Sequence, residues 1–319
     1  MAGVETTSGS PEIHPDALGR EAETDLELVG QLRTMRGAST SAEPGRPGRV
    51  LLGWLDPGAP QVISGRLDQP GQLAADRIRI ERARSVVAER PAGVDQTNLI
   101  QAAPPELEAH IQALHAAPAA APYWAEGWEV GMADLERVCA FQPIVQIDEA
   151  VARTEVTPDL AAIAEVALPV APHTEAINLS FDEIQRAWVV MSRNPNLRFM
   201  GSFSGPANGL PGLGFQYGLP ASFMQVAEYN GRYFLRDGYH SAFGFLARGQ
   251  RRVPVFWRRL STLEQMGMPK GMLPHDAVFG ERPPTLLDYQ DDKVSGSCTR
   301  PSQVKLLVIH ALETTSPLV

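Results

Sequence analysis

The chain has 319 residues, which allows two domains or one large domain with an extension. Its apolar fraction of 44% and charged fraction of 20% are those of a globular protein with a sizeable core. The formal net charge of −9 argues against a uniformly basic nucleic-acid-binding protein, although it leaves room for a local basic site.

The cysteine count and the length of the apolar runs exclude further classes of protein. Cys139 and Cys298 are too few for a disulfide framework or a zinc site. Cys139 lies in an apolar run that predicts core, and Cys298 follows Ser-Gly-Ser, which predicts a loop. The chain start is neither basic nor apolar, and no apolar run approaches the roughly 20 residues of a membrane span. We therefore expect a soluble, cytoplasmic protein with no membrane partner.

The first part of the chain, residues 1–48, is predicted to be an extension of the folded body. Its polar start is typical of disorder, and residues 20–36 have the pattern of an amphipathic helix. A Gly- and Pro-rich linker is predicted over 38–49. Residues 50–55 (VLLGWL) then predict the first strand of the body.

The region 49–175 is predicted to be rich in helices. Apolar residues recur there at helical spacing, and two prolines with acidic residues mark one helix start. The predicted helices cover 72–90, 107–115 and 158–166. An aromatic cluster between the last two helices, Tyr123, Trp124 and Trp128, is predicted to pack in the core between the two halves of the chain, with an interface or base-stacking role as the alternative.

The region 176–319 changes to a strand-rich pattern and is predicted to be a separate α+β domain. Strands are predicted over 187–191, 197–203, 223–229, 233–236, 253–257 and 305–312. The Gly- and Pro-rich residues 204–218 predict a long mobile or functional loop. An acidic cluster near the end, Asp288, Asp291 and Asp292, is predicted to be a solvated loop, with a Mg²⁺ or Ca²⁺ site as the alternative.

One unit within this region has a well-defined order. Asn230-Gly231 predicts a two-residue hairpin turn, because both positions tolerate positive φ. Residues 241–248 present an apolar helical surface, and Gly249 fits a C-terminal cap. The following strand, Val-Pro-Val-Phe-Trp, contains Pro254, which predicts an edge position or a bulge.

The order strand, Asp237-Gly238-Tyr239-His240, helix, Gly249 and Val-Pro-Val strand resembles the ParB/sulfiredoxin-like superfamily over about residues 223–257. The resemblance implies an α+β module in the C-terminal half, beside a helix-rich N-terminal region. In that superfamily the turn and the helix start cradle a nucleotide or phosphate, since a helix start offers unpaired N–H groups and a partial positive charge.

The chain departs from the family pattern at two positions. Ser241 stands where an arginine normally clamps the phosphate. Tyr239 stands where sulfiredoxins have their nucleophilic cysteine and the ParB pattern has glutamate, which excludes sulfiredoxin chemistry. Other residues must therefore make good the missing clamp if the site is active.

A basic stretch surrounds the turn. Seven arginines and a single acidic residue, Asp237, lie between residues 231 and 260. Such a patch in an acidic chain predicts phosphate or nucleic-acid binding. The predicted ligand contacts are Arg236, Gly238, Tyr239, Ser241, Arg248, Arg251 and Arg252. Alternatively, the arginines only solubilise the strand ends or pair with acids of the N-terminal half.

Asp237 and His240 are the candidate catalytic residues. His240 is either a general acid/base or phosphate donor, or a turn residue bonded to a carbonyl. Asp237 orients His240, binds a metal, or N-caps the helix, and capping is the favoured interpretation.

Three functions remain open: binding of a nucleotide or nucleic-acid phosphate, a non-catalytic interaction scaffold, and a metal-dependent nucleotide hydrolase or nuclease. The expected ligand is a nucleotide with Mg²⁺ or a nucleic acid, and a protein partner or homodimer is an open alternative.

Overall fold

The computed structural model describes residues 45–64, 70–155, 158–171, 177–184, 186–192, 194, 196–207, 210–268, 271–302 and 305–310. All of them belong to one unit, Gly45–Val319. The helix predicted over 20–36, and the rest of the extension up to residue 44, lie outside the described residues.

The fold is α+β. The helices are α1 Gln61–Ser64, α2 Pro70–Glu89, α3 Glu108–Ala116, α4 Ala121–Ala125, α5 Ile147–Arg153, α6 Leu160–Ala167, α7 Tyr239–Ala247 and α8 His275–Phe279. The predicted helices over 72–90, 107–115 and 158–166 correspond to α2, α3 and α6 and are confirmed. Within the described ranges, no helix is both long enough and apolar enough to cross a lipid bilayer.

The strands form three sheets and a hairpin. They are β1 Arg46–Val50, β2 Ile100–Ala102, β3 Glu129–Asp134, β4 Ile144–Gln146, β5 Asn178–Asp182, β6 Ala187–Ser192, β7 Arg198–Ala207, β8 Leu210–Gly218, β9 Gln225–Tyr229, β10 Arg232–Asp237, β11 Arg252–Arg259, β12 Gly296–Arg300 and β13 Lys305–His310. The central sheet has the order β10-β9-β11-β3-β2. It takes strands from both sides of residue 175, where we predicted a domain boundary.

Strand β11 lies inside this sheet, parallel to β9 and antiparallel to β3. The prediction of an edge strand or a bulge at Pro254 is therefore wrong for the strand, since β11 is internal and its pairing with β3 has no register shift. The N–H of Phe256 donates to Met224 O at 3.0 Å on the β9 side, so the nitrogen of Pro254, two residues earlier, faces the same side. Pairing with β9 begins only at Phe256, and the missing proline N–H therefore removes no bond of the ladder.

The hairpin β9–β10 and helix α7 follow the predicted order. Asn230 and Gly231 have φ of 51° and 73°, as the two-residue turn requires. Gly249 has a φ of 77°, and its N–H donates to Leu246 O at 3.0 Å while Gln250 N–H donates to Phe245 O at 2.9 Å. This pair of bonds is a Schellman motif, which confirms the glycine cap.

Helix α7 is held tightly in the core. A Cβ on Gly244 would lie 2.6 Å from Ala150 O and 2.5 Å from Thr154 Oγ1, so α7 and α5 cross at a distance that only glycine permits. The ring of Tyr123 stacks on that of Phe256 in the central sheet, with the two ring centroids 5.1 Å apart. Its centroid lies 5.0 Å from that of Phe223, in an edge contact. The predicted core role of the aromatic cluster is confirmed.

The first strand of the body is shifted from its predicted position. It covers Arg46–Val50, and Leu52–Trp54 form a 3₁₀ turn instead of a strand. The position of this strand is set by strands that are distant in the sequence, since β1 lies between β12 and β4 in a three-stranded sheet. Cys298, predicted in a loop, is a buried residue of β12, while Cys139 lies in the core as predicted.

Two further predictions are corrected by pairing. The predicted loop over 204–218 is wrong, since these residues form much of the hairpin β7–β8, in which Phe203 pairs with Gly214 and covers it. A large ring covering a facing glycine compensates for its low strand preference. The acidic cluster is solvated only in part: Asp292 is exposed as predicted, whereas Asp288 is buried, and Asp288 and Asp291 accept bonds from Arg90 at 2.6 and 2.8 Å.

Candidate functional site

The Asp237-Gly238-Tyr239-His240 turn joins β10 to α7, at the end of the central sheet. Gly238 is the N-cap residue of α7 and adopts a left-handed conformation with φ 92°. A Cβ there would lie 3.0 to 3.1 Å from Met224, so glycine is needed for both its conformation and the close contact. None of the described side chains caps this helix start, so the N–H groups of its first turn have no side-chain acceptor. Gly238, Tyr239 and Ser241 are buried, and His240 is the partly exposed residue of this turn.

Asp237 is not the N-cap that we predicted. Its carboxylate accepts a bond from the N–H of the adjacent Gly238 at 2.7 Å and from Ser222 Oγ at 3.2 Å. Burial raises the pKa of Asp237, while these two bonds and the charges of Arg153 and Arg198 act in the opposite direction. The carboxyl group is thus protonated more readily than an exposed aspartate.

Tyr239 has a structural position. Its hydroxyl donates to Leu235 O at 2.6 Å and accepts from the N–H of Phe141 at 3.0 Å, and burial raises its pKa. Because a buried tyrosine needs partners for its hydroxyl, these bonds anchor the start of α7 to β10 and to the chain before β4. Tyr239 therefore positions the turn and is not free to bind a ligand through its hydroxyl.

His240 faces helix α5. Its Nδ1 lies 3.5 Å from Glu149 Oε2, and its side chain is 21% exposed. Burial lowers the pKa of His240 to about 4; Glu149 opposes this shift, and the charges of Arg153 and Arg46 add to it. The imidazole is therefore neutral at pH 7.

Glu149 connects His240 to two arginines that we did not predict as site residues. Arg46 Nη1 donates to Glu149 Oε1 at 2.7 Å, and Arg153 Nη2 donates to Oε2 at 3.3 Å. Burial alone would raise the pKa of Glu149, but Arg46 and Arg153 lower it, as does His240 when its imidazole is protonated. The spacing of Glu149 and Arg153, four residues apart on one helix, was the only local signal for this cluster.

The predicted arginines do not meet His240. Helix α7 has nine residues and is about 13 Å long, and Arg248 lies at its C-terminal end while His240 lies at its start. Arg251 and Arg252 follow that C-terminal end. On the strand before the turn, Arg236 Nε donates to Met266 O at 2.9 Å and its guanidinium lies 5.1 Å from the ring centre of Trp128.

Most of these arginines have partners within the fold. Arg251 donates to the fully buried carboxylate of Asp134 at 2.6 and 2.7 Å. Arg248 donates to Thr154 Oγ1 at 3.3 Å, and Arg258 lies 3.3 Å from Glu126. Pairing with acids of the N-terminal half, the alternative interpretation of the basic stretch, is thus what Arg251 and Arg258 do, because a buried carboxylate such as Asp134 requires a partner.

Ser241 is buried in the first turn of α7, directly after His240. Of the nine predicted site residues, the structure therefore brings Asp237, Gly238, Tyr239, His240 and Ser241 together. Arg236 directly precedes them on β10, but its guanidinium is bonded to Met266 O. The structure separates them from Arg248, Arg251 and Arg252. In the part of the chain that the structure describes, no three His, Cys, Asp or Glu side chains converge as metal ligands.

Comparison with known proteins adds no relative: no family model, curated protein or solved structure matches this chain. The resemblance to the ParB/sulfiredoxin-like superfamily thus rests on the motif and on the order of the unit β9–β10–α7–β11.

Proposed function

We propose that the chain binds a phosphate-bearing ligand at the start of α7, in a divergent ParB/sulfiredoxin-like module. The observation that carries this proposal is a helix start without a side-chain cap, with Arg153 acting on it from the neighbouring helix. The order of the module supports it, since the hairpin, the helix and the strand β11 beside β9 follow one another as the resemblance implies.

The helix start supplies the first set of contacts. Its N-cap, Gly238, has no side chain, and its first turn contains no acidic residue. The N–H groups of Tyr239, His240 and Ser241 point along the axis of a nine-residue helix, and a helix N-terminus favours anions through its partial positive charge.

Arg153 takes the place of the arginine that Ser241 replaces. Its charge opposes the rise in the pKa of Asp237 and adds to the fall in the pKa of His240, so it lies within electrostatic range of both. Its guanidinium is partly exposed and donates to Glu149 over 3.3 Å, at the long end of hydrogen-bond range. A guanidinium in this position can offer two parallel donors to a phosphate.

His240 favours a ligand with a hydroxyl group as well as a phosphate. With Nδ1 directed at Glu149, the neutral tautomer that donates there leaves Nε2 as an acceptor. A nucleotide supplies such a hydroxyl on its sugar and can contact Nε2 without using a phosphate oxygen, whereas inorganic phosphate would have to use its own P–OH for this contact. We therefore expect a nucleotide to bind more tightly than inorganic phosphate.

The same pair of residues supports a second candidate function. A neutral histidine oriented by a carboxylate is the arrangement of a general base, which would activate water in the hydrolysis of a phosphate ester. Loss of turnover in His240→Ala without a change in thermal melting would establish this function.

The proposal is tested by calorimetric titration with inorganic phosphate, CTP, ATP and a short DNA duplex, each with and without Mg²⁺. We expect heat with at least one nucleotide, and a loss of affinity of about tenfold or more in Arg153→Gln. The matched control is Arg252→Gln, which removes an exposed arginine beyond the other end of α7 and should leave affinity unchanged.

Two results would contradict the proposal. An absence of heat in every titration would favour the interaction scaffold. A loss of affinity in Arg252→Gln but not in Arg153→Gln would move the ligand to the basic end of β11.

A further inference from the structure

The exposed apolar side chains of this chain are concentrated in one segment. Among the described residues, thirteen large apolar side chains are exposed, and ten of them lie between Leu179 and Phe215. Monomeric proteins rarely expose apolar patches larger than a few hundred Å², and larger ones mark interaction sites. The inference drawn from this segment rests on its exposed apolar side chains and does not depend on the proposed function.

The first half of the exposed surface is the hairpin β7–β8, which we name the arm. Phe203, Leu210 and Leu213 are 62%, 69% and 68% exposed. The pairing Phe203–Gly214 places Phe203 on one face of the arm, and the pairing Ser204–Leu213 places Leu213 on the other. Both faces of the arm are therefore apolar.

The edges of the arm are also unpartnered. In the part of the chain that the structure describes, β7 and β8 pair only with each other, so each has an outer row of N–H and C=O groups. Arg198, at the base, is the only charged residue between 198 and 218. An isolated two-stranded hairpin is marginally stable in water, and a long uncharged edge is a template for pairing with another chain.

The second half is one face of the sheet β13-β6-β5, which we name the apolar face. It consists of Leu179, Phe181 and Trp188, each about half exposed, and the rings of Phe181 and Trp188 lie 5.0 Å apart. The pairings Leu179–Val190 and Phe181–Trp188 put these residues on the side that also carries Val190. Val190 is buried against Leu197 and Leu219, which flank the arm, so the covered part of this side ends where the apolar face begins.

We propose that the arm of one copy packs on the apolar face of a second copy, and the reverse, in a two-fold symmetric dimer. The chain carries both an extended apolar element and a flat apolar surface. In a two-fold symmetric dimer, the arm of each copy covers the apolar face of the other, so one symmetry operation buries both surfaces on both chains. Apart from Arg198 at its base, the arm has no charged residue that this contact would have to desolvate.

The area available is that of an interface. An aromatic side chain contributes roughly 150–250 Å², so the five rings of Phe181, Trp188, Phe199, Phe203 and Phe215, each about half exposed, leave about 500 Å² uncovered before the aliphatic side chains are added. A standard interface buries about 800 Å² per partner. A lipid surface fits less well, because hydrocarbon would leave the edge N–H and C=O groups of the arm without partners.

Sedimentation velocity of the full chain over a range of concentrations tests the proposal. We expect a species with twice the mass of the chain. The arm variant Phe203→Ser/Leu213→Ser and the face variant Phe181→Ser/Trp188→Ser should each weaken the dimer by about tenfold or more. The matched control Ile78→Ser replaces an equally exposed apolar residue on α2 and should leave the dimer unchanged.

Cysteine pairing tests the contact without removing apolar surface. Cys139 and Cys298 are buried, so an introduced exposed cysteine is the reactive one. On mild oxidation, a Leu213→Cys chain mixed with a Phe181→Cys chain should form a mixed disulfide dimer. The same Leu213→Cys chain mixed with Ile78→Cys should not.

Three outcomes would overturn the proposal. The first is a wild type that stays monomeric at every concentration. The second is a dimer that both the arm and face variants preserve. The third is a monomeric wild type that sediments with phosphatidylcholine vesicles and loses this binding in the arm variant, which would assign the arm to a lipid surface.

Discussion

The central sheet and the segment 177–218 are both built from strands, yet they treat their apolar residues in opposite ways. Strands β9 and β11 are internal, and Val226, Val255 and Phe256 are fully buried beneath the surrounding helices and the aromatic cluster. The arm exposes residues of the same type on both faces. The comparison teaches that strand-forming sequence is not enough to bury a strand, since burial requires a second layer, which the described residues provide for the central sheet and not for the arm.

Truncating one phenylalanine ring in the central sheet and one in the arm tests this difference most strongly. Phe256→Ala removes a fully buried ring and should lower the free energy of unfolding by about 3–5 kcal/mol. Phe203→Ala removes a ring from the arm and should change it by less than about 0.5 kcal/mol. Urea unfolding at low protein concentration measures both, and equal losses would show that the arm is part of the cooperative core.

A pH titration of stability examines the start of α7, which belongs to the buried part of the molecule. The pKa of His240 is about 4 in the folded chain and about 6.5 when unfolded, so the unfolded chain binds more protons between these values. Stability is therefore fully present above pH 6.5 and falls as the pH drops toward 4, by about 3 kcal/mol. His240→Gln should lose this part of the pH dependence in urea unfolding, whereas the exposed His275→Gln should keep it.

Removal of the buried hydroxyl of Tyr239 is expected to have a smaller effect on the free energy of unfolding. Tyr239→Phe removes both the donor to Leu235 O and the acceptor of the Phe141 N–H, and leaves these backbone groups unpaired in the interior. We expect the free energy of unfolding to fall by about 1–3 kcal/mol. Thermal and urea unfolding give the value, with the half-buried Tyr229→Phe as the control; an unchanged stability would mean that the turn is not anchored through Tyr239.

The smallest effect is expected for an exposed ion pair. Arg258→Gln breaks the contact with Glu126, whose side chain is largely exposed, and should change the free energy of unfolding by at most about 1 kcal/mol. The change should shrink further at high salt. A fall in the free energy of unfolding of more than about 2 kcal/mol would mean that the Arg258–Glu126 pair is a major contribution to stability and not an exposed ion pair.

Local signals in the sequence were sufficient for the unit that contains the turn. Asn230-Gly231 predicted the hairpin because few residue pairs tolerate positive φ at both positions, and Gly249 predicted the helix end for the same reason. The prediction failed where glycines and prolines form a strand, because their intrinsic preference is for turns and only the facing strand β7 changes this. The order and register of β1 likewise depend on β12, about 250 residues away in the chain.

In the candidate site, too, some features follow from the local sequence and others depend on the tertiary structure. By itself, the sequence determined the turn, the helix start and its five contiguous residues from Asp237 to Ser241, since these follow from neighbours in the chain. Only the tertiary structure decided which charges surround them. The crossing of α5 and α7 at Gly244 brings Glu149 and Arg153 to His240, whereas the length of α7 and the buried carboxylate of Asp134 hold Arg251 away. The desolvation of a charge is a property of the packed fold, and no local pattern reports it.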